Sequence, residues 1–378
     1  MVAGEPSGDL LASRLLSGLR PMLPDTRIHG IGGPEMAEHG FISDFPMEKL
    51  SVRGLFEVLL HYNEIKGIRN RLQAQLLQER PAAFVGIDAP DFSLDLEIVL
   101  KNAGIPTLHF ISPSIWAWRR ERIKKIARAV THMLVIFPFE EEIYRNAQIP
   151  VTYVGHPLAE MIPMDPDQVA TRNQLGLDQG QRVVTILPGS RLSEISHNAS
   201  VFVDACGLLA RRDPTMRFVA PMAGPVQRAY FEKVVGAKKI KKLGIQVMTG
   251  GSHTAIAAAD AVMVASGTAT LEVALFKKPM VIGYRMNSAS WFVMKSMAYQ
   301  RWVGLPNIMA REFLVPELLQ GRATPQGLAS AMWAQISNEQ NRQRLRRRFV
   351  DMHHELMRNT ASESAHAVMQ VIAHGKRP

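Results

Sequence analysis

Val183-Val184-Thr185-Ile186-Leu187-Pro188-Gly189-Ser190-Arg191 is an apolar, β-branched run that stops at a proline and opens into a glycine–serine turn, with Glu194 and a helical stretch behind it. This is a strand running through a short loop into a helix. A glycine with small neighbours lets backbone N–H groups approach phosphate oxygens, and a helix N-terminus adds partial positive charge. Arg191 offers a guanidinium fork that suits a diphosphate. Many such turns carry Gly and Ser for backbone reasons alone, so one instance decides little. A second strengthens it: Ala261-Val262-Met263-Val264 leads into Ala265-Ser266-Gly267-Thr268, with Glu272 one turn into the next helix. There a carboxylate can accept hydrogen bonds from two ribose hydroxyls, the logic of dinucleotide folds. Taken alone, Glu272 is a surface carboxylate favoured by the helix dipole. Beside Ser266, Gly267 and Thr268 it reads as a ligand.

Outward from these turns, short apolar runs alternate with helical stretches, the pattern of parallel sheets with crossover helices. Strands are expected at 1–3, 27–31, 83–87, 107–111, 132–136 and 151–154, then at 182–187, 217–220, 245–248, 261–264 and 279–282. The chain begins almost at the end of its first strand, which leaves room for a longer native start. A proline-spaced link with Pro157, Pro163 and Pro166 separates two similar halves. The expected fold is therefore α/β, two facing Rossmann-like domains with a cleft between them. Residues 1–160 form the first, 161–347 the second, and 348–378 a helical tail packing back on the first.

In the first half, Gly4-Glu5-Pro6-Ser7-Gly8-Asp9 follows strand one and opens a helix, at the sheet edge where open α/β proteins bind ligands. Ser7 or Asp9 is either a substrate contact or that helix's N-cap. The strand at 83–87 ends in Asp88-Ala89-Pro90-Asp91-Phe92. Asp88 emerges first and suits a fixed general base, whereas Asp91 suits a cap of the next helix. The spacing is not that of an Asp-x-Asp metal site, and neither metal nor cofactor is expected. Ser112-Pro113-Ser114-Ile115-Trp116-Ala117-Trp118-Arg119 fits a sugar platform or a membrane interface as well as it fits ordinary packing.

Composition narrows the partners. With 378 residues, 47% hydrophobic and 21% charged, the chain is globular and long enough for two domains. A single cysteine, Cys206, excludes an internal disulfide framework and fits a reducing compartment. A formal charge of +10 admits nucleic acid, anionic lipid or phosphorylated substrates. Zinc-finger and RNP-type signatures are missing, as are the Gly-x-x-x-x-Gly-Lys loop and His-Glu-x-x-His. The Arg344–Arg348 run reads as a solvated helix face, and His353-His354 as exposed.

Six motifs in order carry a specific resemblance: Gly4–Asp9, Gly86-Ile87-Asp88-Ala89-Pro90-Asp91-Phe92, Ser112–Arg119, Leu187–Arg191, Ser266–Glu272 and Leu305-Pro306-Asn307. Together the chain resembles the lipid-A-disaccharide synthases. The resemblance implies a GT-B glycosyltransferase, inverting and without a required metal. It would join UDP-2,3-diacylglucosamine to 2,3-diacylglucosamine 1-phosphate, giving the β-1,6-linked disaccharide 1-phosphate and UDP. The family's base falls on Asp88, its Pro-Gly-Ser-Arg arginine on Arg191 and its Leu-Pro-Asn asparagine on Asn307. Pro6 and Leu192 depart from the pattern. Donor contacts are then expected from Gly189, Ser190, Arg191, Glu194, Ser266, Gly267, Thr268, Glu272 and Asn307, and acceptor contacts from Gly4, Glu5, Ser7, Gly8, Asp9, Trp118 and Arg119.

Acylated substrates require a bilayer, so the protein is expected on the cytoplasmic face of the inner membrane. Leu55, Phe56, Val58, Leu59, Tyr62 and Ile65 make an apolar helix face followed by Lys66, Arg69 and Arg71, which suits an anionic interface as well as it suits a core. The stretch 286–302 is a second membrane candidate. Expected partners are the two lipid substrates, a membrane surface and a second copy of the chain; nucleic acid is not among them. The competing reading is a UDP-sugar 2-epimerase of the same architecture.

Overall fold

The computed structural model describes residues 1–50, 55–288, 291–292 and 300–375, with the side chains of 55–62 outside that description. The chain divides into two compact units, Met1–Glu160 with Glu355–Pro378, and Met161–His354.

In the first unit the strands are β1 (His29–Gly32), β2 (Ile42–Pro46), β3 (Phe84–Gly86), β4 (Thr107–Phe110), β5 (His132–Val135) and β6 (Val151–Tyr153). All pairings are parallel. The expected first strand is reduced to Val2, which bridges Ile31 on one side and Gly86 on the other. The sheet thus runs β2–β1–Val2–β3–β4–β5–β6, and its order reverses between Val2 and β3. Open α/β sheets bind ligands at such a reversal, outside the carboxyl ends of the strands. Helix α1 (Pro6–Leu19) follows Val2 and α4 (Pro90–Asn102) follows β3. Each begins with a proline, whose missing N–H costs nothing in a first turn. The C-terminal helix Thr360–Gly375 packs on α1, where Gly18 lies so close that a Cβ would meet the Ala361 carbonyl oxygen at 2.2 Å.

In the second unit β7 (Val183–Leu187), β8 (Arg217–Met222), β9 (Ile245–Thr249), β10 (Ala261–Val264), β11 (Met280–Tyr284) and β12 (Glu317–Leu319) form a parallel sheet in the order β12–β11–β10–β7–β8–β9. The reversal lies between β7 and β10, the two strands whose turns opened the sequence argument. Both faces are covered. Val184 and Ile186 join the core under the helices Leu192–Arg212 and Pro325–Ser337, while Val183 joins Val219 and Ala255 opposite. Burial on both faces explains why β7 is apolar at nearly every position instead of alternating.

Sequence reading omitted β2 and β12, both short. It also misjudged His353: the ring is fully buried and its Nδ1 lies 2.7 Å from Lys277 Nζ. The Arg344–Arg348 run does lie on a helix, Glu339–Leu356, with Arg346 paired to Asp165 and Arg348 to Glu312.

Helix α3 (Leu55–Glu79) carries the expected 55–65 helix face on as one continuous helix to Glu79. Its Ile68, Leu72 and Leu76 are buried in the first unit's core, and Ile65 packs against them. The membrane-facing expectation for Leu55, Phe56, Val58, Leu59 and Tyr62 falls on side chains outside the description, and most of 286–302 does likewise. Of the basic flank, Arg69 is paired to Asp95 at 2.8 Å and Arg71 lies over the Phe45 ring. No helix among the described residues is long and apolar enough to cross a membrane.

Candidate active site

Asp88 leaves β3 at the first unit's reversal. Its Oδ1 accepts from the Gly4 amide at 2.5 Å and its Oδ2 from the Glu5 amide at 3.0 Å. Gly8 completes the seat: a Cβ there would stand 1.9 Å from Oδ2, so only glycine admits the carboxylate. Ala89 takes a left-handed φ of 49°, uncommon outside glycine, which turns the chain from β3 into α4. Burial pushes the Asp88 carboxyl up to about 6, with the Gly4 and Glu5 amides pulling it back. A partly exposed carboxyl of that pKa is mostly ionised at neutral pH and still basic enough to take a proton.

The other first-unit expectations separate. Ser7 is exposed in the first turn of α1. Asp9 is 1% exposed and faces neither solvent nor Asp88. Its carboxylate accepts from the amides of Gly33 at 2.8 Å, Glu35 at 3.0 Å and Met36 at 3.2 Å, capping the short helix α2 (Pro34–Ala37). The acceptor-contact expectation for Asp9 is corrected, and neither Ser7 nor Asp9 caps α1. Asp91 likewise makes no cap bond and is paired with Arg122. Trp118 is exposed, with the Arg119 guanidinium stacked 4.5 Å from its ring centroid. Below this loop Trp116 meets Phe137 and Phe139 edge-on. Buried Glu140, pushed up to about 8 by desolvation, accepts from the Phe137 amide.

In the second unit the β7 and β10 turns line one cavity of about 540 Å³, within the size range of small-molecule sites. It brings together Gly189, Ser190, Arg191, Glu194, Ser266, Gly267, Thr268 and Glu272. Glu194, which lines the cavity, also braces its own turn. Its Oε2 accepts from the Ser190 amide at 3.0 Å and the Arg191 amide at 3.3 Å, so a carboxylate already occupies these N–H groups. The Arg191 side chain, largely exposed, remains the cationic arm of this turn. Opposite it, Gly267 precedes the helix Thr268–Leu275, which has no side-chain cap at its N-terminus. Glu272 stands 3.6 Å from His253 Nε2.

Asn307 is absent from this cavity and fully buried. Its side chain donates to the Val315 carbonyl and Glu317 Oε1, and accepts from the Leu314 and Val315 amides. A direct donor contact is corrected to a packing role, since its polar groups are engaged behind the wall. The same segment reaches the Thr268–Leu275 helix through Leu305 N–H to Thr270 Oγ1. Sequence reading missed Pro221–Ala223, Gly250 and Ser252, which line the cavity from the ends of β8 and β9. Their signal was available: each ends or follows a strand of the same half at the same sheet edge.

A cavity of small-molecule size at one reversal point, a mounted carboxylate at another and two doubly wound parallel units define the GT-B class of fold, which glycosyltransferases and UDP-sugar epimerases share. Solved structures agree on the fold. The chain is similar to UDP-GlcNAc 2-epimerase from Neisseria meningitidis bound to UDP-GlcNAc (TM-score 0.59, 10% identity, 97% of each chain covered). It is also similar to a glycosyltransferase from Rickettsia africae ESF-5 (TM-score 0.59, 11% identity, 100% and 98% covered). Residues 1–371 match the family model described as lipid-A-disaccharide synthetase, and the chain belongs to that family. Its relatives include the lipid-A-disaccharide synthases of Bordetella avium (strain 197N), 51% identical over 99% of this chain and 98% of that one, and of Burkholderia pseudomallei (strain K96243), 52% identical over 98% and 96%. The epimerase alternative is not favoured.

Proposed function

We propose that the chain carries out its family's sugar transfer with Asp88 as general base and the cavity at the ends of β7 and β10 as the seat of the donor's diphosphate. The donor is UDP-2,3-diacylglucosamine and the acceptor 2,3-diacylglucosamine 1-phosphate. Asp88 takes the proton of the acceptor's 6-hydroxyl as that oxygen forms its bond to the anomeric carbon. The bond from that carbon to the diphosphate breaks on the opposite face, and UDP leaves with the electron pair. Configuration inverts. Arg191 and the uncapped turn at Ser266–Thr268 meet the developing charge, and Glu272 accepts from the ribose. In this division of labour the first domain serves the acceptor and the second the donor.

The observation that carries the reading is the Asp88 carboxylate held by two backbone amides at the point where the sheet order reverses. Asp88→Asn is expected to lower kcat by about 10²–10⁴-fold, roughly 3–5 kcal/mol of barrier. Its UDP affinity, measured by calorimetry, stays near that of the unaltered protein. Equal loss of both would make Asp88 a structural residue.

The reading extends to the cytoplasmic face of the inner membrane, where acylated substrates reside, and to a second copy of the chain. The net charge of +10 suits phosphorylated lipids in an anionic surface.

A further inference from the structure

Behind Asp88 lies a buried ionisable pair that the transfer chemistry leaves unused. Glu97 on α4 and His109 on β4 meet at 2.7 Å, Oε1 to Nδ1, and both are at most 1% exposed. Gly86 pairs directly with His109 across β3 and β4. A Cβ on Gly86 would fall 2.3 Å from Glu97 Oε1 and 3.2 Å from His109 Nδ1, so the pair fills the space a side chain would take. Glu97 Oε2 and His109 Nε2 have no hydrogen-bond partner among the described residues. Such an arrangement costs stability that a pair of apolar residues would not.

Its geometry leads to the base. Ser93 and Glu97 lie one turn apart on α4, and therefore on one face. Ser93 donates to the Asp88 carbonyl at 2.8 Å while Glu97 grips His109. The Ser93 bond braces the turn at Ala89, whose left-handed conformation sets the angle at which Asp88 leaves the sheet, and Glu97 ties the same helix to β4 through His109. The charged groups that act on Asp88 are Glu5, at the start of α1, and His109. Glu5 disfavours its ionised form and His109 favours it.

We propose that Glu97 and His109 form a positioning pair for Asp88, fixing the β3–α4 turn and the electrostatic surroundings in which the base takes its proton; this rests on Asp88 being the base. The pair touches no reacting atom and acts through Asp88.

The test is the pH profile of kcat/KM for Glu97→Gln and His109→Asn beside the unaltered enzyme. His109→Asn removes an influence that favours the carboxylate and moves the acidic limb upward, by about half a unit to one unit. Turnover falls about tenfold through lost alignment, while UDP affinity is unchanged. A folded His109→Asn whose limb stays in place overturns the proposal, because a merely structural pair would lower turnover or melting temperature without moving it. If neither variant folds, the unaltered enzyme still decides. Buried neighbours are little screened, so the limb holds within about 0.2 unit between 0.05 and 0.5 M salt; a larger displacement gives control to the more exposed Glu5 and overturns the pair. Asp88→Asn runs alongside. If it keeps turnover, the base assignment fails and the pair with it; if it is inactive and the limbs are unmoved, the pair alone fails.

Discussion

Asp88 has two opposing influences on one carboxyl, burial raising its pKa and backbone N–H donors lowering it, and burial wins. The consequence for pH is definite. The base works ionised, so kcat/KM is expected to fall as pH drops through about 6. A pH–rate profile flat across that value would contradict the assignment. Asp9 and Asn307 stand at the other extreme, with polar atoms engaged inside the protein. Asp9→Ala removes a helix cap and is expected to cost about 1–2 kcal/mol of stability. Asn307→Ala leaves buried amides and Glu317 short of partners, and is expected to cost about 2–4 kcal/mol. Neither is expected to raise the KM of its substrate beyond what unfolding explains. Denaturant midpoints read beside KM separate these roles from binding.

At the level of elements, the β7 turn depends on one backbone position. Gly189 has φ +132°, and a Cβ there would stand 2.3 Å from Glu194 Cβ. Gly189→Ala is therefore expected to lose about 1–3 kcal/mol of stability. UDP affinity should fall with it, since Glu194 can no longer hold the turn. An alanine variant with unaltered urea midpoint and UDP titration would remove the turn from the donor site. Here sequence and structure part in an instructive way. Gly, Ser and Arg after a strand were legible as a turn lining a cavity because strand ends expose backbone N–H groups. That Glu194 takes those groups first was not legible, because a helix's first-turn carboxylate can face either way. The loops after β8 and β9 were missed because they carry no charged residue.

Over the whole molecule, the proposed contact with a bilayer rests on a charge of +10 and on the proposed acylated substrates. Binding to vesicles rich in phosphatidylglycerol is expected at low salt and to weaken severalfold as ionic strength rises from about 0.05 to 0.5 M, as the Debye length shrinks. Co-sedimentation measures it. Equal binding to zwitterionic vesicles at every salt concentration would assign the contact to apolar surface instead. The pairs of Arg69 with Asp95, Arg346 with Asp165 and Arg348 with Glu312 are neutral within that balance and leave the excess of +10 unchanged.

The alternation of apolar runs with helices, the small-residue turns after β7 and β10 and the place of Asp88 at the end of β3 were all present in the order of residues. Each is a local property: strand periodicity, loop chemistry and position at a strand's end depend on near neighbours. Partners far apart in the chain were not available to such reasoning. Asp9 reaching the amides of Gly33 to Met36, Asn307 closing the 314–317 turn, His353 buried against Lys277 and Glu97 joined to His109 exist only once the sheets have assembled. A polar side chain shows its chemistry in the sequence, but whether it meets solvent, substrate or another buried group is set by the packing around it.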